Sequence, residues 1–261
     1  MRSLSIAATG MLAQQLNVEV ISNNIANMNT TGFKRQRAEF QDLLYQTVER
    51  VGSTSSESGT IVPAGVQIGL GVKAAAVYNI AEQGNLLATS NPLDVAISGA
   101  GYFQVTLPSG DTAYTRAGSF QLSPTGEIVT VDGYSVAPSI TVPADAIQVT
   151  INQSGQVLVQ LPNVVAESIV GQLQLANFPN PAGLDPQGDN LFLETNASGS
   201  ATTGTPGSTG LGVIEQGFVE TSNVNTVTEI TNLITAQRAY EMNSKVIQTS
   251  DEMLSTINRL R

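Results

Sequence analysis

The side chains that most often perform catalysis or bind metal ions are missing from this sequence. Its 261 residues include no cysteine and no histidine. This excludes thiol nucleophiles, disulfides, zinc-finger ligands, imidazole bases and Ser-His triads. Carboxylates remain as possible acid–base groups, but no pair of them has a sequence pattern that identifies it as a catalytic acid and base. The sequence therefore gives little support to an enzyme such as a carboxylate-based glycosidase.

Three short patterns resemble ligand sites without their defining context. Asp185 and Asp189 could offer oxygen ligands to calcium, but the graded carboxylate series and terminal Glu of a calcium loop are absent. Gly69-Leu70-Gly71 and Gly99-Ala100-Gly101 are fragments of phosphate-binding patterns, and they predict turns or tight backbone contacts instead. We therefore expect no catalytic residue, no cofactor and no metal ion.

The strongest pattern lies at the two ends of the chain, where apolar residues recur every seven positions. Such a repeat predicts helices that bury one face against another helix. The natural partners of these helices are each other and the same helices of neighbouring copies, so the pattern indicates assembly. The residues predicted to pack subunits together are Leu4, Met11, Val18, Ile21, Ile25, Leu233, Tyr240, Ile247 and Leu254.

Start and stop signals place the helices. The first is predicted from about Ser3 to Ala26, because the following Asn- and Thr-rich segment ends in Gly32. The last is predicted to start at Thr226, which has capping-box spacing to Glu229, and to run to the C-terminus. A short second helix is predicted within 36–48 from the helical spacing of its apolar residues, followed by a polar Gly/Ser/Thr-rich insertion with extended flanks.

The period changes to two between about Leu93 and Ser222. Phe103 and Val105 alternate with polar residues, and so do Val157 and Val159. Turn signals separate these runs at 108–111, 123–126, 132–133 and 152–155. The pattern predicts an antiparallel sandwich or barrel-like β body.

Charge is distributed unevenly. The net charge is −10, and between Ala74 and Asn223 a single basic residue, Arg116, faces twelve acidic residues. An acidic middle repels nucleic acid and anionic lipid, so neither is expected as a partner. No apolar stretch is long enough to span a membrane, and the N-terminus lacks the pattern of a cleaved signal peptide. We expect no direct membrane insertion, and export, if it occurs, by a route without signal cleavage.

Short sequence segments in and beside the terminal helices resemble those of a known family. Asn23 to Lys34 (NNIANMNTTGFK) resembles the N-terminal signature of bacterial flagellar rod and hook axial proteins. Ser222 to Asn225 and Ile234 to Lys245 (ITAQRAYEMNSK) resemble their C-terminal signature, and Gly101–Val105 and Tyr114–Phe120 resemble the opening of their β domain. The matching motif residues are Asn23, Asn24, Asn27, Gly32, Phe33, Asn225, Gln237, Arg238, Tyr240 and Asn243.

Within that family of flagellar basal-body rod proteins, the length and the stretch from Asp42 to Thr47 before a polar insertion are most similar to the distal-rod members. The resemblance implies an α+β fold with N- and C-terminal long helices forming a coiled-coil-like inner domain. The implied fold also contains an antiparallel all-β outer body and an extended connecting arm. The expected domains are 1–35 and 225–261 for the inner helices, 36–73 for the arm with its polar insertion, and 74–224 for the β body.

The resemblance also implies the function. A distal-rod subunit is expected to self-assemble into a helical tube, which acts as a drive shaft between motor and hook and as an export channel. The expected partners are further copies of the chain, proximal rod proteins, the hook protein, the surrounding ring proteins and the flagellar export apparatus. The expected location is the basal body, across the periplasm to the outer membrane. The alternatives are a hook or proximal rod protein and, in another class, an oligomeric surface adhesin or scaffold.

Overall fold

Two units make up the folded chain. The computed structural model describes residues 2–49, 65–162 and 166–259. The first unit comprises Met1–Ile25, Gln36–Tyr78 and Thr226–Arg261, and the second comprises Ala26–Arg35 and Asn79–Asn225. The chain therefore passes between the units four times, three of them next to the terminal signatures and one between Tyr78 and Asn79.

The first unit contains both long helices and four strands. Its elements are α1 (Arg2–Ala26), β1 (Gln36–Asp42), β2 (Tyr45–Glu49), β3 (Val66–Gly69), β4 (Val72–Asn79) and α2 (Thr226–Arg259). Both helices were predicted, and α1 ends in the turns that precede Gly32, as expected. With 34 residues, α2 is a rod of about 51 Å, since each residue adds about 1.5 Å.

The predicted helix within 36–48 is wrong, because this segment forms strands. β1 pairs with β4, and β2 pairs antiparallel with β3, with Tyr45 opposite Gly69. The side chains of Leu44, Tyr45 and Val48 are exposed, so their helical spacing does not reflect a buried face. The polar insertion at 50–64 lies outside the described residues, and so does the extended segment expected at Ile61-Val62. The extended segment expected at Val66–Ile68 is confirmed, since it lies in β3.

The second unit is a β body. Its strands are β5 (Leu86–Ala88), β6 (Val95–Ser98), β7 (Tyr102–Thr106), β8 (Thr112–Thr115), β9 (Gln121–Leu122), β10 (Ile128–Val129), β11 (Ser135–Ala137), β12 (Gln148–Ile151), β13 (Gln156–Gln160), β14 (Ser168–Gln172), β15 (Leu175–Asn177), β16 (Asp185–Gly188), β17 (Leu191–Leu193), β18 (Thr202–Gly204), β19 (Val213–Gln216) and β20 (Phe218–Glu220). A 3-10 turn spans Pro181–Gly183.

The strands of this body pair antiparallel within several separate sheets. The largest has the order β16-β17-β8-β7-β11-β10-β9, with β15 linking β18 to β7. A second sheet has the order β12-β13-β14, and β19 pairs with β6 while β20 pairs with β5. Every pairing whose register is described is antiparallel, as predicted.

The alternating pattern predicted the inward-facing residues correctly. Phe103 and Val105 on β7 and Val157 and Val159 on β13 are fully buried. They belong to one core cluster, in which the rings of Phe103 and Phe120 meet edge to face with centroids 5.1 Å apart. The four predicted turns each connect consecutive strands, from β7 to β8, β9 to β10, β10 to β11 and β12 to β13.

None of the helices in the described ranges is both long enough and apolar enough to cross a membrane.

Candidate functional site

The second unit buries a network of three charged side chains. Lys34 Nζ lies 2.6 Å from Glu220 Oε1, and Arg116 Nε lies 3.2 Å from Glu220 Oε2. All three side chains are at most 4% exposed. The network joins positions that are far apart in sequence, since Lys34 and Glu220 are 186 residues apart. It therefore fixes the segment after α1 to the strand before α2.

Backbone groups add hydrogen bonds to these charges. Lys34 Nζ also donates to the carbonyl of Glu82 at 2.7 Å, and the Gly84 amide donates to Glu220 Oε1 at 2.8 Å. The guanidinium of Arg116 donates to the carbonyls of Gly101 and Gly99, both at 2.8 Å. Buried charges are tolerated only when they are paired and hydrogen-bonded in this way.

The network carries one more positive than negative charge, which affects Lys34. Burial lowers the pKa of the Lys34 ammonium, and the neighbouring Arg116 lowers it further, while Glu220 opposes both. The ammonium is therefore held in its charged form by a single carboxylate, that of Glu220. Removing this carboxylate would leave two buried cations facing each other.

Gly32 and Asn223 fasten the backbone beside this network. The Gly32 amide donates to the carbonyl of Glu220 at 2.8 Å, and Gly32 has a φ of +71°. A Cβ at Gly32 would lie only 2.6 Å from the amide nitrogen of Ala117, so a side chain is excluded. Asn223 Oδ1 accepts from the amide of Arg35 at 2.7 Å, and its Nδ2 donates to the carbonyl of Ile80 at 3.0 Å.

Asn24 has the corresponding role within the first unit. Its side chain is buried, with Oδ1 accepting from the amide of Gln36 and Nδ2 donating to the carbonyl of the same residue, both at 2.8 Å. Nδ2 also lies 3.3 Å from Glu229 Oε2, on the first turn of α2. Asn24 thus connects the end of α1, the start of β1 and the start of α2.

Three of the described contacts join the two helices. Ser3 Oγ lies 3.4 Å from Ser250 Oγ, and a Cβ at Gly10 would lie 2.9 Å from Asn243 Nδ2. With the bond between Asn24 and Glu229, these contacts run in opposite directions along the two helices, so α1 and α2 are antiparallel. The best-buried residues of α2 are Glu229, Ala236 and Ser250.

The predicted packing residues leave much of their surface uncovered in the single chain. Ile21 is buried, and Tyr240 is 44% exposed. The half-buried members are Leu4, Met11, Val18, Ile25, Leu233, Ile247 and Leu254. Other large apolar residues of α2 are exposed, namely Val227, Ile230, Ile234, Met242, Val246 and Met253. Their role in contacts between copies stays a prediction.

The residues of the two terminal signatures fall into two groups. Asn24 and Gly32 are buried and have the structural contacts described above. Asn27, Phe33 and Asn243 are half-buried, and the exposed members are Asn23, Asn225, Gln237, Arg238 and Tyr240. Asn24 and Gly32 fix local structure, whereas the exposed members lie on α1, on α2 and in the segment before α2.

Sequence reasoning missed the buried charge network, although one signal for it was present. Arg116 is a lone cation in a long acidic segment, which is a reason to expect an ion pair. Nothing in the sequence identified Glu220 among the twelve acidic residues as its partner. Lys34 lies at the end of the N-terminal signature, but its separation from Glu220 exceeds any pattern of local spacing.

The patterns that resembled ligand sites lie on a hairpin and at the connections between strands. Asp185 and Asp189 are exposed on the hairpin of β16 and β17. The glycine pairs lie at the connections from β3 to β4 and from β6 to β7. Throughout the described ranges, no three His, Cys, Asp or Glu side chains are grouped so that they could hold a metal ion.

Three protein-family models match successive parts of the chain. The model described as "Flagella basal body rod protein" matches residues 4–34. That for the "Flagellar hook protein FlgE/F/G D1 domain" matches residues 96–159, and that for the "Flagellar basal body rod FlgEFG protein C-terminal" matches residues 215–260. The first and third matches cover the helical signatures, and the second covers much of the β body.

Curated relatives match along the whole length. The chain is 62% identical over 261 residues to the flagellar basal-body rod protein FlgG of Caulobacter vibrioides, with 100% of both chains covered. It is 56% identical over 259 residues to FlgG of Agrobacterium fabrum and 50% identical over 258 residues to FlgG of Buchnera aphidicola, with 99% of each chain covered. The protein therefore belongs to the FlgG family of flagellar basal-body rod proteins and is a structural component of the basal body, not an enzyme.

Proposed function

We propose that this chain is a subunit of the flagellar distal rod that polymerises into a helical tube through its terminal helices. The tube would carry torque from motor to hook and enclose an export channel. The observation that carries the proposal is the large apolar surface left open on α2. Membership of the rod-protein family supports the same reading.

The exposed apolar residues of α2 lie on more than one side of the helix. Val227, Ile230 and Ile234 follow one another within its first turns, and Met242 and Val246 are exposed in its second half. At about 100° per residue, these two sets point in different directions. A helix that is apolar on several sides needs partners on several sides. Neighbouring copies in a helical tube, whose contacts repeat without closing into a ring, would supply them.

The pairing of α1 with α2 would form a coiled-coil-like stem in each subunit. It is supported by their antiparallel contacts at Ser3–Ser250, Gly10–Asn243 and Asn24–Glu229. Small and polar residues at these contacts bury little apolar surface, which is the main source of association energy. The stem would therefore depend on neighbouring subunits for most of its stability.

The proposed domains follow from this arrangement. Residues 1–35 and 225–261 would form the inner helical layer, 36–73 a connecting arm and 74–224 the outer β body. The acidic residues of the β body favour contact with solvent. They would give the tube a hydrophilic outer surface within the surrounding ring proteins, with proximal rod proteins at one end and the hook protein at the other. Delivery would use the flagellar export apparatus.

Torque transmission requires a β body that does not deform where the chain enters it. Within that unit, the buried network of Lys34, Arg116 and Glu220 fixes both entering segments, and Asn223 holds Arg35 and Ile80 together. Paired buried charges resist displacement, because breaking one contact leaves an unpaired charge in a low-dielectric environment. We infer that this network keeps the entering segments fixed under load.

The proposal is tested by electron microscopy of basal bodies isolated from cells that lack the gene, compared with cells in which it is restored. We expect the deletion to remove the distal part of the rod and everything beyond it, and complementation to restore both. Rods of normal length in the deletion strain would overturn the proposal. If the protein were instead found on the cell surface and not in basal bodies, an adhesin or scaffold would be favoured.

A further inference from the structure

The described contacts between α1 and α2 all belong to the same antiparallel alignment of the two helices. Ser3 meets Ser250, Gly10 meets Asn243 and Asn24 meets Glu229. The residue numbers of each pair add up to the same value, and along α1 the contacts are separated by seven and then fourteen residues. The three described contacts, at Ser3, Gly10 and Asn24, therefore share a single antiparallel register. Something in the sequence must select this register over its neighbours.

The side chains along this contact row are small or polar, and the closest approach is at Gly10, where a Cβ would lie 2.9 Å from Asn243 Nδ2. The row consists of Ser3, Gly10, Asn17 and Asn24 on α1 and of Glu229, Ala236, Asn243 and Ser250 on α2. Large apolar side chains that insert into matching holes define the register of most helix pairs. Here every member of the row is small or polar, and the larger apolar residues buried on α1, such as Val20 and Ile21, lie beside it. Within the row itself, the feature that distinguishes the observed register is a specific polar contact.

Asn24 is the member of the row that is fixed in place. It is 1% exposed, and its amide group is held by both backbone groups of Gln36 at 2.8 Å. This clamp fixes the orientation of the side chain, with Nδ2 directed at Glu229 Oε2, 3.3 Å away. Glu229 is itself 2% exposed. A shift of one heptad would place Asn24 opposite Ala236 or beyond the start of α2.

We propose that Asn24 is the residue that sets the register of α1 against α2, by presenting one amide N–H to Glu229 while Gln36 holds its side chain. A single buried polar residue is known to specify register in helix pairs, because a shifted pairing leaves it without its partner. The proposal rests on the helix pairing proposed above. It assigns the C-terminal end of α1 a role that the apolar repeat does not have.

The absence of cysteine from the sequence makes disulfide trapping a direct test. The pair Ser3→Cys/Ser250→Cys probes the observed register, and Ser3→Cys/Asn243→Cys and Gly10→Cys/Ser250→Cys probe shifts of seven residues in either direction. Seven helical residues span about 10 Å, which exceeds the Cα separation of about 4.4–6.8 Å that a disulfide allows. Oxidation is performed on the purified full-length chain at high concentration and on isolated basal bodies. A denaturing gel separates bridges within a chain from bridges between chains.

Each cysteine pair is combined with Asn24→Leu and with the matched control Asn17→Leu, which lies on the same row. We expect the in-register bridge to predominate in the parent and in the Asn17→Leu chain. Asn24→Leu should lower the ratio of in-register to shifted bridges about tenfold, as expected for the loss of a buried hydrogen bond to a charged group. An unchanged ratio, or an equal loss in the Asn17→Leu chain, would overturn the proposal.

Three further outcomes have a defined consequence. If Asn24→Leu prevents folding, the smaller Asn24→Ser, which cannot bond Gln36 and Glu229 together, is judged by the same ratio. A parent chain without a preferred in-register bridge in both preparations overturns the register assignment. The parent chain could also form this bridge when purified but be absent from isolated basal bodies. That result would contradict the proposed function, and it would leave the register assignment unchanged.

Discussion

Glu220 balances two buried cations in the β body, so its replacement is the most informative change at the scale of single residues. Glu220→Gln keeps the size of the side chain but leaves Lys34 and Arg116 without their carboxylate. We expect it to lower the free energy of unfolding by about 3–5 kcal/mol, because an uncompensated buried charge remains. Chemical denaturation of the full-length subunit measures this loss. The matched control is Glu215→Gln on β19, where the half-buried carboxylate should cost far less.

The defect of Glu220→Gln should also depend on pH in a defined direction. Burial already lowers the pKa of Lys34 below its ordinary value of 10.5, and loss of Glu220 removes the group that opposes this. At a pH between the lowered pKa of Lys34 in the folded chain and its ordinary pKa in the unfolded chain, only the unfolded chain binds a proton at Lys34. The free energy of unfolding of the variant therefore rises with pH in this range. We therefore expect the difference between variant and parent to shrink as pH rises from neutrality toward 10.5. A difference that grows over this range would contradict the assignment.

Gly32 allows conformational strain to be separated from steric exclusion. Gly32→Ala would adopt an unfavourable positive φ and also press its Cβ against the backbone of Arg116 and Ala117. Gly133 has a similar φ of +85°, but a Cβ there would meet nothing within 4 Å. Gly133→Ala should therefore cost only the strain of the left-handed conformation, about 1–2 kcal/mol, and Gly32→Ala clearly more. Equal losses in thermal or chemical unfolding would show that the contact with 116–117 is unimportant.

At this scale the sequence predicted the importance of some residues but not their reasons. Asn24 and Gly32 were selected because they match the signature of a family, and the structure supplies a hydrogen-bond clamp and a close backbone approach as causes. Lys34 and Glu220 illustrate the limit, since their contact joins positions 186 residues apart. No local period or spacing encodes such a pair. Only the closure of the sheets brings the two side chains together.

At the scale of elements, α2 is the surface on which assembly is expected to depend. Ile247 is half-buried in the single chain and lies on the predicted apolar row with Tyr240 and Leu254. Burying it between copies should contribute about 1.5–3 kcal/mol per subunit. Ile247→Asp would instead bury a carboxylate, at a cost of several kcal/mol more. Because this cost recurs in every subunit, we expect no rod of normal length in electron micrographs.

The adjacent position provides the control for this change. Gln248 is exposed, so Gln248→Asp introduces the same charge beside the row and should leave assembly intact. Neither substitution should change the unfolding of the β body, since both lie in the other unit. Normal rods built from Ile247→Asp subunits would show that the assembly surface lies elsewhere.

Long and regular elements were predicted well, and short irregular ones were not. Both helices and the strands β7 and β13 carry clear periods, because each buries one consistent face. The segment 36–48 carries a few apolar residues whose spacing fits a helix by chance. Its strands β1 and β2 are determined by their pairing with β4 and β3, which the local sequence does not encode. Tertiary pairing therefore overrides the local pattern where that pattern is weak.

At the scale of the whole molecule, the positive charges of the β body are largely hidden. Between Ala74 and Asn223 the one basic residue, Arg116, is buried against Glu220. Carboxylates such as Asp111, Asp132 and Asp185 remain exposed. The two units thus differ in what they offer to other molecules. The β body presents negative charge, and the helices present apolar side chains.

This difference predicts how the free subunit behaves in solution. The β body has a continuous apolar core and the buried charge network, whereas α1 and α2 meet through small and polar side chains. Helices that bury little apolar surface are only marginally stable alone. In hydrogen exchange of a confirmed monomer, we expect fast exchange before about Gly32 and after about Val224, and slow exchange at core strands such as β7 and β13. Assembly should slow exchange in both helices, because neighbouring copies then cover their apolar sides. Slow exchange throughout both helices in the monomer would mean that the intrachain pairing is sufficient, and would remove the argument that the helices depend on assembly.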